Sequence, residues 1–323
     1  MTFPLCRRPG AVVFLDDDPA YLETLALVLP APWQVDLFVR PSACINHLQQ
    51  QPPLWEADTW AQQQVVERGR NGAALIPEIL RYWREAIARH SFTQVCVVDY
   101  AMPGMNGLET LSELMDWSGA RVLLTGQADE QIAVQAFNQA LIDQFIPKQI
   151  AGASRRIIDT VQHLMNRAHP RHAQIWRSTL SARQAAALAV PSVGTQLADY
   201  ARRHWVEYIV VGHPFGILGQ SASGLVSWLQ LESPQGLADL AELAQTQGFG
   251  EQAIAAIRAG QQLPSLELRQ SLGTPDQLGM QPAFSLGSSE NLIGAVFEIG
   301  PLHARDQDAT AKPTLPSERL VRD

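Results

Sequence analysis

Short apolar runs alternate with stretches whose apolar residues recur every three or four positions, and this rhythm holds through the first half of the chain. Ala11–Leu15 (AVVFL) is a β-branched run and predicts a strand buried on both faces of a parallel sheet. Asp18-Pro19 predicts a capped helix start, with Tyr21, Leu22, Leu25 and Val28/Leu29 at helical spacing before Pro30. Further strands are predicted at Val35–Val39, Val95–Val98, Arg121–Thr125 and Gln144–Pro147. Helices are predicted at Pro41–Gln50, Gly107–Trp117 and Asp129–Ala140. Strands that alternate with helices imply βαβ units, and so a five-stranded parallel α/β sheet with helices on both faces.

Gln51–Thr93 breaks the rhythm, because a connection of about 2–6 residues would be ordinary there. Pro77 suits a first helical turn, and Ile76, Ile79, Leu80, Trp83 and Ile87 form an apolar stripe. The pattern predicts a helical hairpin inserted at 51–93. Its stripe either packs on the parent domain or forms a docking face for a partner or a second copy.

Beyond residue 150 the pattern turns helical. A long helix interrupted at Pro170 is predicted over 153–176, then helices at Ser181–Ala189 and Val193–Trp205. Strands follow at Glu207–Val211, Gly216–Leu218 and Val226–Leu231, helices at Leu237–Gln247 and Glu251–Ala259, and strands at Ser265–Ser271, Ala283–Leu286 and Leu292–Ile299. The expected organisation is a domain at 8–150 carrying the insertion, a helical linker at 151–205, a smaller α+β domain at 206–300 and a flexible tail at 301–323 with Pro313 and Pro316.

Composition narrows the function classes. The formal charge of −8 argues against a general nucleic-acid coat. Yet eight arginines (155, 156, 167, 171, 177, 183, 202 and 203) stand among only two acids, Asp159 and Asp199, between residues 150 and 205. Cys6, Cys44 and Cys96 have no CxxC spacing, which fits a reducing compartment rather than a disulfide framework or zinc site. No apolar stretch is long enough to span a bilayer, so a cytoplasmic protein without membrane contact is expected. His163, His169, His172 and His204 lack metal-ligand spacing and read as surface residues. Trp205, Phe215 and Trp228 read as core aromatics.

In a doubly wound sheet, ligands bind at the carboxyl ends of the strands. The first strand ends in Asp16-Asp17, the third in Asp99 and the fourth in Thr125, while the fifth runs into Lys148. Topology therefore gathers these five residues on one edge. Crowded carboxylates call for a cation, and an all-oxygen set with few protein ligands suits Mg2+. A hydroxyl and an ammonium opposite them are what a transferring phosphoryl group needs, with Asp99 as the candidate nucleophile. Each residue alone has a plainer reading: a turn cap for Asp99, solvated charge for Asp16–Asp18, a surface lysine for Lys148.

Phe14-Leu15-Asp16-Asp17-Asp18-Pro19, Val97-Val98-Asp99-Tyr100-Ala101-Met102-Pro103-Gly104-Met105-Asn106-Gly107, Leu123-Leu124-Thr125-Gly126 and Lys148 together resemble the receiver domain of two-component response regulators. The resemblance implies a flavodoxin-like fold over about 10–165, minus the insertion. It implies Mg2+ held by Asp16, Asp17, Asp99 and the main-chain carbonyl of Ala101. Phosphoryl oxygens would be bound by Thr125 and Lys148, and Phe145 would be the switch aromatic. It further implies a sensor histidine kinase or phosphotransfer protein as donor, and no enzymatic activity beyond the domain's own phosphorylation and dephosphorylation. The chain departs from the pattern in its insertion, in Asn106 where an acidic residue is usual, and in Gln149 where a proline is usual; the last makes a cis peptide after Lys148 unexpected. A haloacid-dehalogenase-type phosphatase would want an aspartate at position 101, which is alanine. The second domain shows only a strand–turn–strand order similar to the opening of PAS-type sensors, at Gly216–Leu231. Its expected role is interaction or oligomerisation, through the insertion or the linker. The alternative is a DNA-binding transcriptional regulator using the arginine-rich helices of 155–203.

Overall fold

The computed structural model describes residues 3–126, 130–274, 279–287, 292–302 and 321–322, without the side chains of 87, 88, 130, 133, 321 and 322. In chain order the elements are β1 (Cys6–Arg7), β2 (Ala11–Leu15), α1 (Pro19–Val28), β3 (Gln34–Phe38), α2 (Pro41–Gln49), α3 (Pro52–Arg70), α4 (Leu75–Glu85), β4 (Thr93–Asp99), α5 (Gly107–Ser112), β5 (Ala120–Thr125), α6 (Glu130–Asn138), β6 (Gln144–Pro147) and α7 (Ala153–Met165). There follow α8 (Pro170–Arg177), α9 (Ala182–Leu188), α10 (Pro191–His204), β7 (Glu207–Gly212), β8 (Phe215–Gln220), β9 (Leu225–Glu232), α11 (Leu237–Thr246), α12 (Glu251–Arg258), β10 (Gln262–Pro264), α13 (Leu266–Ser271), β11 (Met280–Pro282), β12 (Phe284–Leu286), β13 (Leu292–Pro301) and β14 (Val321–Arg322).

Contacts divide the chain into two compact units, each discontinuous in sequence. One comprises residues 9–58, 88–167 and 309–323; the other comprises 1–8, 59–87 and 168–308. In the first, five parallel strands run in the order β3-β2-β4-β5-β6, the expected flavodoxin-like arrangement. Alternation sends Val13 and Leu15 of β2 to one face with Cys96, Leu111 and Leu123, and Val12 and Phe14 to the other with Leu22, Val97 and Ile157. Both faces are covered, which is why the run of β2 is apolar at every position. The expected helix start at Asp129 lies outside the described residues.

Two expectations are corrected in this unit. The segment after residue 301 was expected to be a flexible tail, but Val321 and Arg322 pair in parallel with Leu37 and Phe38, adding a sixth strand at the β3 edge. Residues 303–320, with Pro313 and Pro316, lie outside the described set. The helix predicted over Gly107–Trp117 ends at Ser112 and gives way to turns that bury Leu114 and Trp117.

The second unit is built on an antiparallel sheet in the order β1-β7-β8-β9-β13-β12. Ile217 and Leu229 face Val193 and Leu197 of α10, whereas Leu218 and Trp228 face a larger core. That larger core contains Ile76, Ile79, Leu80 and Trp83 of α4, together with Trp176, Leu240 and Ile257. The apolar stripe of the insertion therefore packs neither on the parent domain nor outward as a docking face. It closes the core of the other unit, where Trp83 is 1% exposed. The Ile87 side chain lies outside the described part.

Three smaller corrections concern the same unit. Ser265–Ser271, expected as a strand, forms α13 with Leu266 and Leu268 buried. His172, expected at the surface, is 3% exposed, with its Nε2 3.0 Å from Thr59 Oγ1. The stretch 151–205, expected as a linker, is divided between the units: Arg155, Arg156 and Arg167 belong to the parallel-sheet unit and the other five arginines to the second. Trp205 and Trp228 are buried and Phe215 is half-buried, as expected of core aromatics.

Candidate functional site

The carboxyl edge of the parallel sheet collects the residues named from strand endings. Asp16 follows β2 directly, and its main-chain N–H donates to Phe38 O at 3.1 Å, holding the turn against β3. Asp18 is spent as the cap of α1, accepting from the N–H groups of Ala20 (2.9 Å) and Tyr21 (3.3 Å). Asp16 and Asp17 are left for other chemistry. Asp16, Asp17 and Asp99 each place a carboxylate oxygen within 4.8 Å of the others, Asp16 and Asp99 buried and Asp17 exposed.

Asp99 is positioned by the loop that follows it. Gly107 N donates to Tyr100 O at 3.0 Å, and a Cβ on Gly107 would stand 2.3 Å from the Asp99 main-chain oxygen. Only glycine permits that approach. Asn106 serves in place of an acid, since its Oδ1 accepts from the N–H groups of Leu108 and Glu109 in a capping box that starts α5. Ala101 lies exposed in this loop, two residues after Asp99.

Lys148 closes the site. Its main-chain N–H donates to Thr125 O at 2.8 Å, and its peptide to Gln149 is trans. Its Nζ lies 2.6 Å from Asp16 Oδ2 and 2.8 Å from Asp99 Oδ1. Burial pulls the lysine pKa down, but the hydrogen bonds it donates to Asp16 and Asp99 outweigh it and leave the net shift upward. Burial raises the pKa of Asp16, and the Lys148 bond only partly offsets it. One ammonium thus bridges two of the three clustered carboxylates. Thr125, fully buried at the end of the adjacent strand, keeps a side-chain oxygen without any hydrogen-bond partner. An orphaned hydroxyl beside surplus negative charge fits a divalent cation and an oxyanion.

All five predicted polar side chains are therefore on this edge. Phe145 sits half-buried on β6, packed against the core that holds Leu123 and Met102. Sequence reasoning missed Tyr21, whose ring centroid lies 4.6 Å from Lys148 Nζ. Burial and then the neighbouring charges shift its phenol, the net direction being upward. The available signal was its place in the first turn after the Asp18 cap.

Residues 70–162 match the response regulator receiver domain. Residues 88–162 of that match lie in the parallel-sheet unit, which has the receiver fold. The match begins inside the insertion, so Asp16 and Asp17 precede it; folding returns them to the receiver site. The whole chain shares its fold with the Legionella pneumophila response regulator LqsR, at 23% identity and a TM-score of 0.70, covering 95% of this chain and 94% of that one. A protein from Neptuniibacter caesariensis aligns at 17% identity and TM-score 0.35 over 54% of this chain and 96% of its own. A Francisella response regulator receiver domain aligns at 13% and 0.31 over 49% and 97%. No curated protein sequence matches. Among the described residues no helix is long and apolar enough to cross a membrane.

Proposed function

We propose that Asp99 accepts a phosphoryl group from the histidine of a sensor kinase or phosphotransfer protein, in a Mg2+-dependent reaction, and that this switches association with a partner or a second copy. The observation that carries the proposal is Lys148 bridging Asp16 and Asp99, beside the unpartnered hydroxyl of Thr125.

In this reading an Asp99 carboxylate oxygen attacks phosphorus in line while the phosphorus–nitrogen bond to the donor imidazole breaks. The nitrogen keeps the electron pair, and Asp99 becomes an acyl phosphate. Lys148 and the Thr125 hydroxyl take the charge gathering on the phosphoryl oxygens. Asp16, Asp17, Asp99 and the Ala101 main-chain carbonyl would hold Mg2+, which would supply the remaining charge neutralisation. Thr125 then turns toward its phosphoryl partner, and Phe145 moves into the space it vacates. The unit performs only its own phosphorylation and dephosphorylation, and the C-terminal unit acts as an interaction module.

Acetyl phosphate with Mg2+ is expected to add one phosphoryl mass to the wild type and none to Asp99→Asn, with beryllofluoride shifting the wild type in size analysis. Phosphorylation of Asp99→Asn at the wild-type rate would sink the assignment. A salt-dependent DNA shift lost on substituting the arginines of 155–203 would move the output to nucleic acid.

A further inference from the structure

Gln51 closes the neck of the inserted segment. Its Oε1 accepts from Thr93 N at 3.0 Å and its Nε2 donates to Thr93 Oγ1 at 2.8 Å, so one amide holds the entry and the exit of the insertion together. A third bond comes from the turn after α5, where Trp117 Nε1 donates to Gln51 Oε1 at 3.4 Å. Gln51, Thr93 and Trp117 are 6%, 0% and 2% exposed. Breaking one of these bonds therefore leaves a buried polar group without a partner. Gln49 adds a parallel tie, its Nε2 donating to Glu113 O at 3.2 Å.

Both ends of this tie lead onward. Toward the phosphoacceptor edge, the Arg121 guanidinium fixes the turn by donating to the carbonyls of Leu114 (2.7 Å), Met115 (3.1 Å) and Trp117 (2.9 Å). α5 joins that turn to Gly107, which abuts the main-chain oxygen of Asp99. In the other direction, α3 starts one residue after Gln51. Its Trp55 packs on Phe92 of the parallel-sheet unit, with ring centroids 5.5 Å apart, while its Val65 and Val66 lie in the core of the second unit. The chain leaves one unit for the other within this helix, between Asp58 and Thr59. Close-packed elements joined by buried bonds take up discrete arrangements, so a shift at one end is passed on rather than absorbed.

We propose that the Gln51 amide relays the phosphorylation of Asp99 to the second unit, through Gly107, α5 and Trp117 on one side and through α3 on the other. The inference rests on the phosphoacceptor reading of Asp99 and adds the route by which its signal leaves. Gln51 and Trp117 touch no reacting atom; they position the neck of the insertion against the turn after α5.

Hydrogen exchange of the full chain, with and without beryllofluoride and Mg2+, reads the relay, and intact mass after acetyl phosphate reads Asp99 separately. In the wild type, beryllofluoride is expected to change exchange in α4 and the second half of α3 by about fivefold or more, the lower end of coupling between sites. Trp117→Phe deletes only the indole donor, and Gln51→Met deletes all three bonds. Each is expected to gain one phosphoryl mass yet hold that change below about twofold. A merely structural amide would lower the urea midpoint of both variants and leave the full response in place, and that result would overturn the proposal. A phosphorylated wild type whose α3 and α4 do not respond would overturn it too. Should Gln51→Met fail to fold, Trp117→Phe decides alone. A wild type that gains no phosphoryl mass would instead remove the Asp99 reading, and the relay with it.

Discussion

Burial raises the pKa of Asp16 although Lys148 donates to it at 2.6 Å. A carboxyl whose folded pKa lies above its unfolded one stabilises the fold below the unfolded value and loses that contribution as pH rises through the folded value. When ionised, Asp16 is thus a net cost to the cation-free protein. Asp16→Asn is expected to raise stability toward urea at neutral pH in EDTA and, on the proposed Mg2+ site, to remove any stabilisation that added Mg2+ gives the wild type. Unchanged stability in EDTA, or an undiminished Mg2+ effect, would contradict the charge accounting. Lys148 follows the same sign from the other side. Its raised pKa gives stability below the ordinary lysine value of 10.5 that fades only as pH climbs past it.

Tyr21 belongs to the same balance. A cation over an aromatic face is worth about 0.5–1 kcal/mol where partly exposed, enough to hold an ammonium in place but not to bind it alone. Tyr21→Leu is expected to slow phosphoryl uptake from acetyl phosphate roughly threefold, a factor set by that energy. Tyr21→Phe, which keeps the ring, should stay at the wild-type rate. Equal rates for Leu and Tyr would remove the ring from the site's function.

At the scale of elements, the loop between β4 and α5 sets the position of Asp99, the proposed phosphoacceptor. Gly107→Ala would put a methyl carbon 2.3 Å from the Asp99 carbonyl, so the start of α5 must back away. Overpacking of this kind costs about 1–3 kcal/mol. A lowered urea midpoint together with slower phosphoryl uptake is expected; a fully wild-type variant would mean the loop yields without moving Asp99. Elements of this unit were legible because each strand carries a short apolar run and the polar site residues fall at or just beyond strand ends. α13 was not legible, because six residues are too few to display a helical period, and Leu266 and Leu268 alternate as a strand would. His172 was not legible either, since the Thr59 hydroxyl beside it is 113 positions away in sequence.

The whole molecule turns on a helix that sequence could find but not assign. The stripe Ile76, Ile79, Leu80, Trp83 declares that one face of α4 is buried; periodicity carries no information about what buries it. Neighbouring positions in sequence suggested the receiver, and the structure gives the other unit instead, with Trp83 beside the antiparallel sheet. Trp83→Ala therefore distinguishes the two arrangements in solution. Truncating a fully buried tryptophan costs about 3–5 kcal/mol. Hydrogen exchange should report that loss in the amides of β7–β9, α11 and α12, more than a hundred residues downstream, while β2 and β4 of the parallel-sheet unit keep their protection. Faster exchange in β2 and β4 with β7–β9 unaffected would return α4 to the receiver, and the second unit would then need another source for the apolar cover that Ile76, Ile79 and Trp83 now provide.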